Sequence, residues 1–124
     1  EAWDIMNNRG YSTYNVFFSE YSNSVYNVYN FPNPFKNETN FTFSCINSSQ
    51  ICSKINLYTL DGNKIYSRYD DLGYNNNHFY QIKWDGNTNQ GLEIPNGIYV
   101  YELEIFDNND TSLHKGIYKL AKSK

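Results

Sequence analysis

In NFTFSC, residues 40–45, apolar and polar side chains alternate, so that Phe41, Phe43 and Cys45 share one face and Thr42 and Ser44 the other. A two-residue period belongs to a pleated strand, and a helix would scatter the same residues around its axis. The pattern recurs along the chain. SKINLYTL (53–60) turns Ile55 and Leu57 to one side, and FYQIKW (79–84) does so with Tyr80, Ile82 and Trp84. GIYVYELEIF (97–106) is the longest such run and HKGIYKLAK (114–122) the last, while STYNVFF (12–18) and VYNVY (25–29) come first. Turn residues separate the runs: Asp61 and Gly62 mark a hairpin, and Pro95, Asn96 and Gly97 a turn before the longest strand. No window carries a helical period. Seven or eight short antiparallel strands in about 100 residues predict an all-β, immunoglobulin-like antiparallel β-sandwich, although the Cys…Trp…Cys spacing of true immunoglobulins is missing.

The composition fits this reading. Thirteen Tyr and eight Phe favour pleated surfaces, and 20 Asn favour turns. A net charge of −3 with scattered lysines argues against nucleic acid and against an anionic membrane surface as partners. No apolar run approaches the roughly 20 residues of a membrane span. The sequence opens on Glu1 and not on Met, and so reads as a piece of something longer.

FPNPF, residues 31–35, interrupts an aromatic stretch with two prolines. Pro32 and Pro34 lack an N–H and fix φ near −65°, which confines the segment to a sheet edge or a kink. Asn33, before a proline, is pushed to extended geometry. The expectation is a stiff lead-in with Phe31 and Phe35 as anchors on either side. It places the domain boundary in SEYSNS (19–24), with 1–24 as the tail of a preceding domain or a linker carrying one strand, and 25–124 as the sandwich.

Groups with chemical potential are sparse. Cys45 and Cys52 bracket a six-residue loop and are compatible with a disulfide or with two half-buried thiols. No CxxC and no His/Cys cluster suggests zinc, and no cofactor is implied. His78 and His114 read as surface histidines. Asp85, Asn87, Asn89 and Glu93 alternate as in a calcium loop, but Gln90 stands where that loop needs Gly, which favours an ordinary Asn/Gly loop. Sequons at Asn37, Asn40, Asn47 and Asn109 are expected by chance in so Asn-rich a chain. Exposed Tyr could stack on sugars, although tyrosines also fill a core poor in aliphatics.

Four segments in order, VYNFPNPFKNETNFTFS, INLYTLDGNKIYS, WDGNTNQGLEIPNGIYVYELEI and KGIYKLAK, resemble the C-terminal sorting domain of the bacterial type IX secretion system. The pattern is shared with the immunoglobulin-like domain of the flagellar hook capping protein. The long form with W-D-G is especially similar to the C-terminal domain of the secretion sortase. By position, Pro32, Asn33 and Pro34 match the family's P-N-P; Tyr58 and Gly62 its Y-x-x-x-G; Trp84, Asp85 and Gly86 its W-D-G; Asn96, Gly97, Ile98 and Tyr99 its N-G-I/V-Y; and Lys119 and Leu120 its terminal K-L strand. Ser53 departs from the pattern, standing where an apolar inward residue is usual.

The resemblance implies a non-catalytic signal domain, with no enzyme activity in this chain, folded in the periplasm of a Bacteroidetes-type bacterium. A translocon or shuttle protein would recognise it, with Lys119, Leu120, Lys122 and Lys124 presented on the last strand, and a passenger would lie N-terminal in the same chain. The destination is secreted or cell-surface. A processing enzyme would find its target in SEYSNSVYN. The alternative is an accessory carbohydrate- or protein-binding β-sandwich module of a surface enzyme, and a third reading is a structural spacer.

Overall fold

The alternating segments become strands whose apolar parity faces one shared interior. The computed structural model describes residues 25–46 and 49–123. Among them are seven strands: β1 (Val25–Phe31), β2 (Thr39–Cys45), β3 (Ile51–Thr59), β4 (Lys64–Gly73), β5 (Phe79–Trp84), β6 (Gly97–Asp107) and β7 (Ser112–Lys122). They form two antiparallel sheets, β1-β2-β5 and β4-β3-β6-β7, packed as a sandwich. The long strand β6 is internal, between β3 and β7, as its length and apolar content predict.

Register fixes which residues meet. Phe41, Phe43 and Cys45 of β2 and Tyr80, Ile82 and Trp84 of β5 are buried on one side of the interior. Ile55 and Leu57 of β3 and Tyr99, Tyr101, Leu103 and Ile105 of β6 close it from the other. Burying each such side chain contributes about 1.5–3 kcal/mol. Trp84, 2% exposed, is the largest fully buried group. Its ring lies 5.6 Å from that of Phe35, 5.8 Å from Phe41 and 5.0 Å from Tyr66, and its Nε1 donates to the Asn87 carbonyl at 2.9 Å. Ser53 is fully buried in the inward parity of β3.

Two turn expectations hold on the same ground. Gly62 (φ +97°) and Gly97 (φ +151°) have nothing within 4 Å of a would-be Cβ, so backbone conformation alone calls for glycine. Gly86 (φ +78°) adds a spatial demand, because a Cβ there would lie 3.1 Å from Cε2 of Phe35.

Other expectations are corrected. Phe31 is 67% exposed and anchors nothing inside, while Phe35 is fully buried. Of the two readings left open for the cysteines, free thiols hold: Cys45 faces the interior from β2, whereas Cys52 has the outward parity of β3 in the other sheet. Burial pushes the Cys45 thiol up to about 11. Val25, Tyr26 and Asn27, expected in a processing target, belong to β1, where Val25 pairs with Cys45. The strand expected at 12–18 and the boundary at 19–24 lie outside the described residues.

Side-chain amides and one guanidinium occupy sheet edges. On β4 the Asn89 amide accepts from Ser67 N at 2.8 Å and donates to Ser67 O at 3.0 Å, as a neighbouring strand would. Arg68, held by both Asp70 oxygens at 2.7 and 2.9 Å, crosses to the Lys83 carbonyl on β5 at 2.8 Å. These contacts occupy groups that a foreign strand would otherwise pair with.

Two outcomes test this account. Trp84→Ala is expected to cost about 3–5 kcal/mol in chemical denaturation, and Gly86→Ala is expected to cost more than Gly62→Ala because only the former meets a ring. The second concerns His114, bonded to the Tyr118 hydroxyl at 2.6 Å, whose pKa burial lowers below 6.5. The unfolded chain then binds the proton more readily, so stability falls as pH drops through the ordinary histidine value. The unfolding temperature should decline between about pH 7.5 and about pH 5.5, and decline less in His114→Phe.

Candidate functional site

After β1 the double-proline segment leaves its own sheet and docks on the outer edge of β7 in the other. The Asn33 carboxamide oxygen accepts from Ala121 N at 2.9 Å, Phe35 N donates to Ala121 O at 3.0 Å, and Ser123 N donates to Phe35 O at 2.9 Å. Thr39 Oγ1 donates to Pro32 O at 2.8 Å and accepts from Asn30 Nδ2 at 3.2 Å, fixing the corner from behind. The prolines suit this position because the corner needs few N–H donors, and those of Asn33 and Phe35 remain available.

The W-D-G and N-G-I-Y residues lock the same end. Gly86 lies under the Phe35 ring, Asp85 Oδ1 accepts from Asn87 N at 3.1 Å, and Ile94 N returns to Gly86 O at 3.1 Å. Asn96 is exposed in the turn before β6, and the buried Tyr99 donates its hydroxyl to Pro95 O at 2.6 Å. The loop then sends Glu93 to Lys122 Nζ at 2.9 Å. Pro32, Asn33, Pro34, Trp84, Asp85, Gly86 and Tyr99 therefore meet in one interlock that closes the sandwich around the end of β7.

This changes the picture of the last strand. Leu120 is 1% exposed and Lys122 3% exposed, so neither is displayed as expected. Leu120 has the inward parity of β7, and Lys122 is covered by the corner and by the loop that carries Glu93. Lys124 lies outside the described residues. Lys119 is exposed, and register places it in one row with Val100 and the half-buried Tyr58 on the outer face of the four-stranded sheet. Ile98, 48% exposed and opposite Ala121, stands on the same face. Of the sequence-derived residues, Tyr58, Ile98 and Lys119 thus form an outward patch beside the interlock.

The remaining candidates do not assemble. Asp85 caps its own turn, Asn89 binds β4 and Glu93 binds Lys122, so the calcium-like spacing diverges in space. No group of three metal-ligating side chains occurs among the described residues. His78 and His114 are half-buried and not surface residues, the first beyond β4 and the second on β7. Asn47 lies outside the described residues. Sequence reasoning missed Arg68, and named Asn89 only within the calcium-like spacing, because a side chain's contact with a distant strand edge has no local signature.

No protein-family model and no curated protein sequence matches the chain. Among solved structures, the fold is similar to dimeric latent PorU from Porphyromonas gingivalis, with a TM-score of 0.61 and 22% identity over 77% of this chain and 9% of that one. It is also similar to a β-glucuronidase from Bacteroides uniformis, with a TM-score of 0.51 and 11% identity over 81% of this chain and 13% of that one. The chain therefore spans about a tenth of each of these larger proteins, and the likeness is one of fold.

If the corner holds β7 as described, Asn33→Ala should cost about 1 kcal/mol and speed hydrogen exchange at the Ala121 amide, with Asn37→Ala as a neutral control. Lys122→Met should be neutral or stabilising, since it removes a buried charge together with its desolvation penalty.

Proposed function

We propose that residues 25–124 are a non-catalytic sorting domain of the type IX kind, recognised by a translocon or shuttle protein and carrying an N-terminal passenger to the cell surface or beyond. The observation that supports this best is that three of the four segments resembling that family, those with P-N-P, with W-D-G and N-G-I-Y, and with the terminal K-L strand, lie far apart in sequence and interlock at one end of the sandwich, with Tyr58 of the fourth beside them. Residues of such a signature with structural tasks need no catalytic role. Likeness in fold to part of PorU and to part of a β-glucuronidase is consistent with a small domain attached to larger proteins.

In this reading recognition falls on the outer face of the larger sheet. With Leu120 and Lys122 buried, the contact surface is the outer patch of Tyr58, Ile98 and Lys119. The outer edge of β7 is occupied there by the corner, so a partner would read side chains and not add a strand.

The test appends residues 25–124 to a periplasmic passenger in a host with a type IX apparatus. The passenger should reach the surface, and Ile98→Glu with Lys119→Glu should abolish this while thermal unfolding stays unchanged. Export by the folded double variant would move recognition elsewhere on the sandwich. A folded parent domain that is never exported would overturn the sorting reading.

A further inference from the structure

The outer face of β1-β2-β5 carries a trough that the interlock does not use. Tyr29, Thr42 and Gln81 stand in one register row across the three strands, and Phe31 and Asn40 stand in the next. The middle strand contributes the shorter side chains, so the aromatics of β1 form one wall and Phe79 and Gln81 of β5 the other. The space between has a volume of about 300 Å³. Thr42 lies low in the floor, its hydroxyl donating to Tyr29 O at 2.9 Å, whereas Tyr29 and Phe79 are 50% and 38% exposed. Rings left in water on one continuous face mark a binding surface.

The lining chooses among occupants. None of its six residues is charged at neutral pH, and Lys83 at the rim faces Glu38 at 3.5 Å. Nucleic acid and anionic membranes demand unpaired cations, which this face does not offer. An amphipathic helix seeks aliphatic walls, and no Leu, Ile, Val or Met lines the trough. A sugar chain matches both features: its C–H faces stack on rings, and its hydroxyls exchange hydrogen bonds with amides such as those of Asn40 and Gln81.

We propose that this trough binds a neutral polysaccharide laid along β2. Alternate residues of a strand are about 6.6 Å apart, so the rows from Ser44 to Asn40 span about 13 Å, room for a short run of sugar rings. The proposal is independent of the sorting reading, which concerns the opposite sheet.

Affinity electrophoresis of the 124-residue chain through gels containing a β-glucan, a mannan or a xylan, and separately polygalacturonate, tests it. Retardation is expected in at least one neutral gel and less in the anionic one. Tyr29→Ala and Phe79→Ala should each weaken it roughly tenfold, and Gln81→Ala, which keeps every ring, should weaken it too. Tyr69→Ala, an exposed ring on the other sheet, should leave it unchanged, and thermal unfolding establishes that each variant is folded. No retardation in any gel, stronger retardation by polygalacturonate, or retardation indifferent to the Tyr29, Phe79 and Gln81 changes would each overturn the proposal. Concentration-dependent dimerisation abolished by Tyr29→Ala would overturn it as well, giving the face to a second copy.

Discussion

The contact of the Phe35 ring with Trp84 is the joint on which the two-sheet arrangement turns. Trp84 ends β5 in the smaller sheet, and Phe35 follows the corner that begins there. The Phe35 backbone, however, exchanges two hydrogen bonds with the end of β7 in the larger sheet. One residue therefore places its side chain in the common core and its main chain on the far sheet. Gly86 makes this possible by leaving room for the ring, and Phe41 and Tyr66 complete the aromatic cluster around Trp84. Loss of that cluster would unseat the corner, and the corner is what covers the edge of the last strand.

The alternation was legible because burial on one face imposes period two directly on the sequence. In β2, β3 and β5 the apolar parity read from the residues is the parity found inside. The failures have a common physical cause. Phe31 and Phe35 flank the prolines symmetrically in sequence, yet one faces water and the other the core, since the corner's path is set by β7, some 86 residues further on at Lys119. Lys122 looks like a terminal charge, but Glu93, 29 positions away, and the corner together enclose it. Contacts made across such separations leave no local trace.

Asparagine has more tasks here than turn chemistry suggests. Asn33 and Asn89 each present a carboxamide to a strand edge in the manner of a peptide unit, one on β7 and one on β4. A carboxamide offers the same donor and acceptor pair as the backbone and no net charge, so it covers an edge without a desolvated ion. The resemblance-derived residues divide accordingly. Pro32, Asn33, Pro34, Trp84, Asp85, Gly86 and Tyr99 build the joint, whereas Tyr58, Ile98 and Lys119 are left facing outward. The first group is spent on holding the fold together, and the second is left accessible on the outer face of the larger sheet.

The register places Val25 and Lys122 at opposite ends of the sandwich. A pull on the chain from both sides therefore runs along the strands and not across them. Under that load β1 must slide against β2, and β7 against β6, breaking rows of hydrogen bonds together and not one after another. The corner fastened to Ala121 and Ser123 adds a second flank that has to shear with β7. A domain tethered at its N-terminal side and held near its last strand is thus loaded in its mechanically strongest direction.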